Sequence, residues 1–180
     1  MAEEDASIEP REEFHKGLVS WRKSMQKEFF IPLYKIGLRD LQAGMGMEAA
    51  GSQIGWRVVA SDEKGGVYLC TMSMATATEP ASLISVTPGE LAQKAYEAVA
   101  PFRAQAEPHD LDIRWLSIPG VCAECLWLIP RSGGQPGVMQ LLATLDPELL
   151  EQPQFQITHF LDTIRKLAEI RLSVNDTPQY

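Results

Sequence analysis

Cys122-Ala-Glu-Cys125 is the spacing in this chain most suited to chemistry, since two cysteines three apart serve either as a redox couple or as half of a zinc site. A thioredoxin-like pair opens a helix. Here the following residues, Leu126-Trp127-Leu128-Ile129-Pro130, read as a strand. With Pro119-Gly120 as a two-residue turn between strands Leu111–Ile118 and Val121–Ile129, Ser117 pairs with Cys122 and Arg114 with Cys125. Odd spacing on a strand sends the two sulfurs to opposite faces. A four-ligand site would need Cys70 and His109, and the sequence holds no second ligand pair. The expectation is two packed small side chains, with no metal ligands and no cofactor.

Other candidate chemistry is thinner. Gly44-Met-Gly46-Met-Glu-Ala49 fits a loose dinucleotide fingerprint, with Asp62 further on, but no buried parallel strand precedes it. The interval from Gly46 to Trp56 is also too short for a crossover helix. His15, His109 and His159 fall on separate segments and read as solvated surface histidines. A Cys70–His109–Asp112 grouping has the right residue types, yet spacing alone does not bring them together. Asp62-Glu63 reads as an acidic turn. No Gly-x-Ser-x-Gly elbow, P-loop or His-Glu-x-x-His occurs, so no catalytic residue is assigned.

Apolar patterning is the more informative signal. Met45 with Met47, and Met72 with Met74, are spaced by two, so in extended chain each pair points one way. Thioethers suit adaptable contact surfaces as well as core gaps. On the hairpin, one face holds Leu111, Ile113, Trp115, Leu126 and Leu128. The opposite face holds Leu116, Ile118, Val121, Cys125 and Trp127. A sheet with one wet side should alternate with polar residues. The second face must therefore be covered by helices of this chain or by another molecule. On that basis Met45, Met47, Met72, Met74, Leu116, Ile118 and Trp127 are the candidate interaction residues. The expected function is a non-enzymatic interaction module: an adaptor, accessory subunit or inhibitor that binds another protein or itself. The alternative is a small-molecule-binding protein or thiol enzyme with an apolar pocket, using Cys70 or the Cys122/Cys125 pair.

These residues are positioned by a readable series of elements. Phe14, Leu18, Trp21, Met25 and Phe29 recur at helical spacing, predicting one long first helix stopped by Pro32. Residues 41–55 read as a loop or broken helix. Strands follow at Trp56–Ala60, Gly66–Met74 and Leu83–Val86. Thr87-Pro88-Gly89-Glu90 forms a capping box for a helix running from Pro88 to Phe102. The second half repeats the outline, with strands Leu111–Ile118, Val121–Ile129 and Val138–Leu145. Asp146-Pro147-Glu148 is then a second helix start. A last helix after Pro153 carries Ile157, Leu161, Ile164 and Ala168 on one face, with Phe160 and Leu167 beside it. The order α-βββα-βββα predicts an α+β single domain, a mainly antiparallel sheet of about six strands with helices packed on it. The domain spans residues 14–172, between an acidic flexible arm at 1–13 and a flexible tail at 173–180.

Composition bounds what such a domain can do. The 180 residues carry 16 Lys and Arg against 24 Asp and Glu, a net charge of −8, and 45% are hydrophobic. That balance belongs to a folded globular chain and not to a disordered one. Nucleic-acid binding requires clustered Lys and Arg to displace counterions, and a sequence pI near 4.9 argues against it. Residues 1–13 hold Glu3, Glu4, Asp5, Glu9, Glu12 and Glu13 against Arg11, unlike the basic start of a secretory signal. No stretch approaches a membrane span. Three sparse cysteines are unlike a disulfide scaffold, so a reducing cytoplasm is expected.

Overall fold

The first helix ends sooner than its apolar spacing predicts. In the computed structural model, which describes residues 8–21, 25–43, 50–103, 110–132, 137–150 and 154–175, α1 covers Ile8–Trp21 and buries Phe14 and Leu18. Met25 and Phe29, placed on the same helix by spacing, instead belong to strand β1 (Met25–Lys35). The contiguous run Phe29-Phe30-Ile31 explains the change, because aromatic and β-branched side chains pack well on a pleated surface. Pro32 lies inside that strand and contributes no N–H to its ladder. Among the acidic leading residues, Glu9, Glu12 and Glu13 are helical in α1, and residues 1–7 lie outside the described residues.

Among the described residues eight strands form where about six are expected, and the sheet is mixed where it is expected to be mainly antiparallel. The additions are β1 and the three-residue β8 (Gln154–Gln156). The chain divides into two compact units, residues 1–32 with 54–107 and residues 33–53 with 108–180.

In the first unit the strand order is β4-β3-β2-β1, with β2 Gly55–Asp62, β3 Val67–Ser73 and β4 Leu83–Pro88. Val58 pairs with Cys70 and Ala60 with Tyr68, which puts these residues on the face that α1 covers with Phe14 and Leu18. Val59 and Leu69, one residue out of phase, serve the opposite face, and helix α3 (Glu90–Arg103) packs on these strands through Ala92, Ala95 and Val99. The turn before β3 is tied by Asp62, whose Oδ1 accepts the Lys64 and Gly66 N–H groups at 2.9 and 2.7 Å. The expected capping box does not form. Thr87 and Pro88 stay in β4, paired with Leu69 and Tyr68, and α3 starts after Gly89 at φ +126, a conformation glycine supplies. Pro88 is tolerated there because β4 ends the strand order.

In the second unit the last residues of β1 run parallel to β5 (Leu111–Ile118), and β6 (Ala123–Pro130), β7 (Val138–Ala143) and β8 follow antiparallel. The hairpin register is two residues from the expected one: Ser117 faces Glu124, and Leu116 faces Cys125. A 3-10 turn at Pro119–Val121, followed by Cys122 in the left-handed region at φ 52, replaces the two-residue turn. Gly120 is required in that turn, since a Cβ there would lie 2.2 Å from Leu38 Cγ of helix α2 (Leu38–Gln42). A shift of two preserves side-chain faces, so the predicted face assignment survives while the predicted partners do not.

Helices of the same unit cover the hairpin face once left open. Helix α5 (Ile157–Asn175), α2 and the short α4 (Pro147–Leu150) bring Phe160, Ile164, Leu41 and Leu149 onto Leu116, Ile118, Cys125 and Met139. The α5 stripe is the predicted one. No helix among the described residues is long and apolar enough to cross a membrane. Because Leu116 is fully buried, Leu116→Ala should cost about 2–5 kcal/mol in denaturant unfolding. A loss under about 0.5 kcal/mol, the range of surface positions, would return this face to the surface.

Candidate functional site

Of the seven candidate interaction residues, Met72 and Met74 belong to the first unit and Leu116, Ile118 and Trp127 to the second. Leu116 and Ile118 are fully buried, and Met72 is 1% exposed within the first unit's core. Residues packed this way present almost no surface in the folded chain. Met74 is half-buried beyond the end of β3. Met45 and Met47, with the Gly-rich fingerprint around them, lie outside the described residues. Trp127 is half-buried against the second unit's core, with the Arg114 guanidinium over its ring at 5.1 Å. The same guanidinium covers Tyr34 at 5.1 Å and pairs with Asp112 at 2.7 Å, so the indole is one wall of a local stack.

A different set of residues does converge. A groove of about 720 Å³ in the first unit is lined by Pro10, Arg11, Glu12 and His15 of α1, by Glu28, Phe29 and Phe30 of β1, and by Trp56 of β2. Its construction follows from two periodicities. Arg11 and His15 are four apart, one turn of helix, beside the Phe14–Leu18 stripe that docks on the sheet. Glu28 and Phe30 are two apart and share a strand face. Docking the stripe therefore sets His15 against Glu28, and Phe14 and Arg11 against Phe30. His15 Nε2 lies 3.3 Å from Glu28 Oε1. Phe14 meets Phe30 edge-on at 5.6 Å, and the Arg11 guanidinium stands over Phe30 at 5.4 Å.

The electrostatics of this groove are uneven. The Glu28 side chain is 7% exposed while its partner His15 is 52% exposed. A carboxylate offers two oxygens and about four acceptor sites. Among the described residues, one imidazole nitrogen is the polar group set against it. The lining side chains comprise three aromatics, two carboxylates, a guanidinium, an imidazole and a proline. Such a set can stack, pair charges and hold a proton, while the lining itself offers no hydroxyl or thiol for covalent catalysis.

Sequence reasoning missed this site for an identifiable reason. Reading β1 as the end of a helix hides the alternation of Glu28 and Phe30. The available signals were the unbroken run from Phe29 to Leu33, too apolar for one helix face, and His15 immediately beside a stripe residue.

The thiols are elsewhere. Cys70 and Cys125 are fully buried, Cys122 is exposed, and no disulfide joins them. Burial pushes the Cys125 thiol up, with the nearby Glu124 charge adding to the shift. The two cysteines of Cys122-x-x-Cys125 are separated by a change of element and not by strand alternation: Cys122 caps the turn and Cys125 is on β6. Among the described residues no cluster of three or more His, Cys, Asp or Glu is placed to hold a metal ion.

Comparison of the chain with family models, with curated proteins and with solved structures yields no match. The groove must be read from its own chemistry. For the thiols that reading is direct: the native protein should modify rapidly at Cys122 alone, and at all three cysteines in denaturant, as followed by intact mass. Rapid modification of Cys70 or Cys125 in the native state would place a reactive thiol where the packing shows none.

Proposed function

We propose that this chain is a non-enzymatic protein-interaction module whose recognition surface is the α1–β1 groove of its first unit. The observation that supports the reading most is the pairing of a nearly buried carboxylate, Glu28, with an aromatic lining open to solvent. Aromatic and Arg side chains dominate the energetics of protein recognition, and Trp56, Phe30 and Arg11 supply them together. The twofold-apolar hairpin has no part in this reading, because helices of its own unit cover it. A reducing cytoplasm suits three cysteines that no disulfide joins, and the partner is another protein or a second copy of the chain.

The groove volume favours one second reading. Pockets for small molecules span about 300–1,000 Å³, a range that includes this one. That reading places the small molecule in this groove, which no cysteine lines, and not at Cys70 or the Cys122/Cys125 pair.

Peptide arrays separate the readings. The purified wild-type chain should bind a subset of random-sequence peptides, and Trp56→Ala should weaken those same peptides by about 30-fold, the effect of a central aromatic. Circular dichroism of the variant checks that it is folded. Binding that ignores Trp56→Ala, or no peptide binding at all, would remove this function from the groove.

A further inference from the structure

Resting on that reading, we infer that the groove takes a segment of a partner protein carrying a Lys or Arg beside an apolar residue, with the basic group received by Glu28. Three observations point to this occupant.

The first is the state of Glu28 itself. Its side chain is 7% exposed yet lines the groove, and His15 is set against one of its oxygens at 3.3 Å. A carboxylate taken this far out of water is stabilised by a paired charge and by hydrogen bonds to both oxygens. Among the described residues, the imidazole is the polar group that stands against one oxygen. A second donor arriving through the groove would satisfy the other, and an ammonium or guanidinium supplies donors and charge together.

The second is the lining around it. Phe30 and Trp56 offer ring surface to the stem of a basic side chain and to an apolar neighbour. Arg11 already shows that a guanidinium is accommodated on this wall, standing over Phe30 at 5.4 Å. Arg11 occupies the exposed rim and Glu28 the buried wall, so a cation directed at Glu28 enters below Arg11 and not in its place.

The third is charge complementarity at long range. The chain carries a net charge of −8, and Glu12 at the rim adds to Glu28. The summed field favours the approach of a basic segment and disfavours an acidic one.

The experiment uses the whole chain and peptides chosen from the array as binders. For each, the basic residue is replaced by norleucine, which keeps the stem and removes the charge, and by Glu. On the wild-type protein the norleucine form should bind about 30-fold more weakly, as expected when one member of a buried charge pair is removed, and the Glu form more weakly still. Glu28→Gln should abolish the preference, so that the Lys and norleucine forms bind within about threefold of each other, while the apolar contribution remains. If Glu28→Gln fails to fold, His15→Lys supplies the same test. That position is half-exposed, and its ammonium would neutralise Glu28 from within the chain, again flattening the preference. Peptides that bind through Trp56 but show no preference for a basic residue would overturn this inference and leave the proposed function standing. So would tighter binding of the Glu form, which would make Arg11 the specifying group. Absence of any Trp56-dependent peptide binding would overturn both.

Discussion

The docking of Phe14 and Leu18 onto the first unit's sheet is the contact from which the groove follows. Both side chains are buried against Val58, Ala60, Cys70 and Met72. An aliphatic or aromatic side chain moved from water into such packing contributes about 1.5–3 kcal/mol. Once that stripe is seated, the helical period fixes the rotation of α1, and the neighbouring Arg11 and His15 have nowhere to go but over β1. Gly17 makes the same seating close on its other side, where a Cβ would lie 2.6 Å from Leu83 Cβ. A larger residue there would lift α1 from β4 and alter the distance between His15 and Glu28. The polar geometry of the groove is thus inherited from apolar packing a few ångströms away.

The same docking is what removes water from Glu28. An exposed carboxylate four residues before Pro32 would be an ordinary solvated acid. Covered by α1, it faces an imidazole and retains an opening to the groove. Exposed ion pairs contribute little, about 0–1 kcal/mol, and the surface pairs here, such as Lys94 with Glu90, belong to that class. Those charges could change with small effect on the fold. Glu28 differs because its environment makes the identity of whatever stands opposite it matter.

Much of the architecture was legible in the sequence because it depends on repeated short-range patterns. The α5 face, strands β2 to β7 and the sorting of hairpin residues into two faces all follow from periods of 3.6 and two. What was not legible depended on competition between patterns. Phe14, Leu18, Trp21, Met25 and Phe29 match a helical period well, and the aromatic and β-branched run at Phe29–Ile31 overrides it locally. Thr87-Pro88-Gly89-Glu90 matches a capping box, and the ladder to Tyr68 and Leu69 holds its first two residues in a strand instead. The hairpin register was missed by two because Cys122 adopts a left-handed conformation that its residue type does not signal. Each miss is a local preference overruled by tertiary pairing. The groove inherits the first of them, since without β1 there is no strand face to carry Glu28 and Phe30 together.

An apolar pattern on both faces of a strand tells where water is absent, not what excludes it. In the second unit Leu116, Ile118 and Cys125 lie beneath α5, whose own stripe of Phe160, Ile164 and Leu167 requires such a surface. The two patterns answer each other, so neither implies a partner. Recognition is better signalled by residues that fail to match their surroundings. Glu28 is charged immediately before the apolar run Phe29 to Leu33 of β1, and His15 is polar immediately beside the buried Phe14. A sequence selected for stability alone would fill that wall with a hydrocarbon side chain, since replacing a buried ion pair by well-packed apolar residues is often neutral or stabilising. A carboxylate held in that position sets the groove apart from the hairpin, whose apolar face is matched by helices of its own unit.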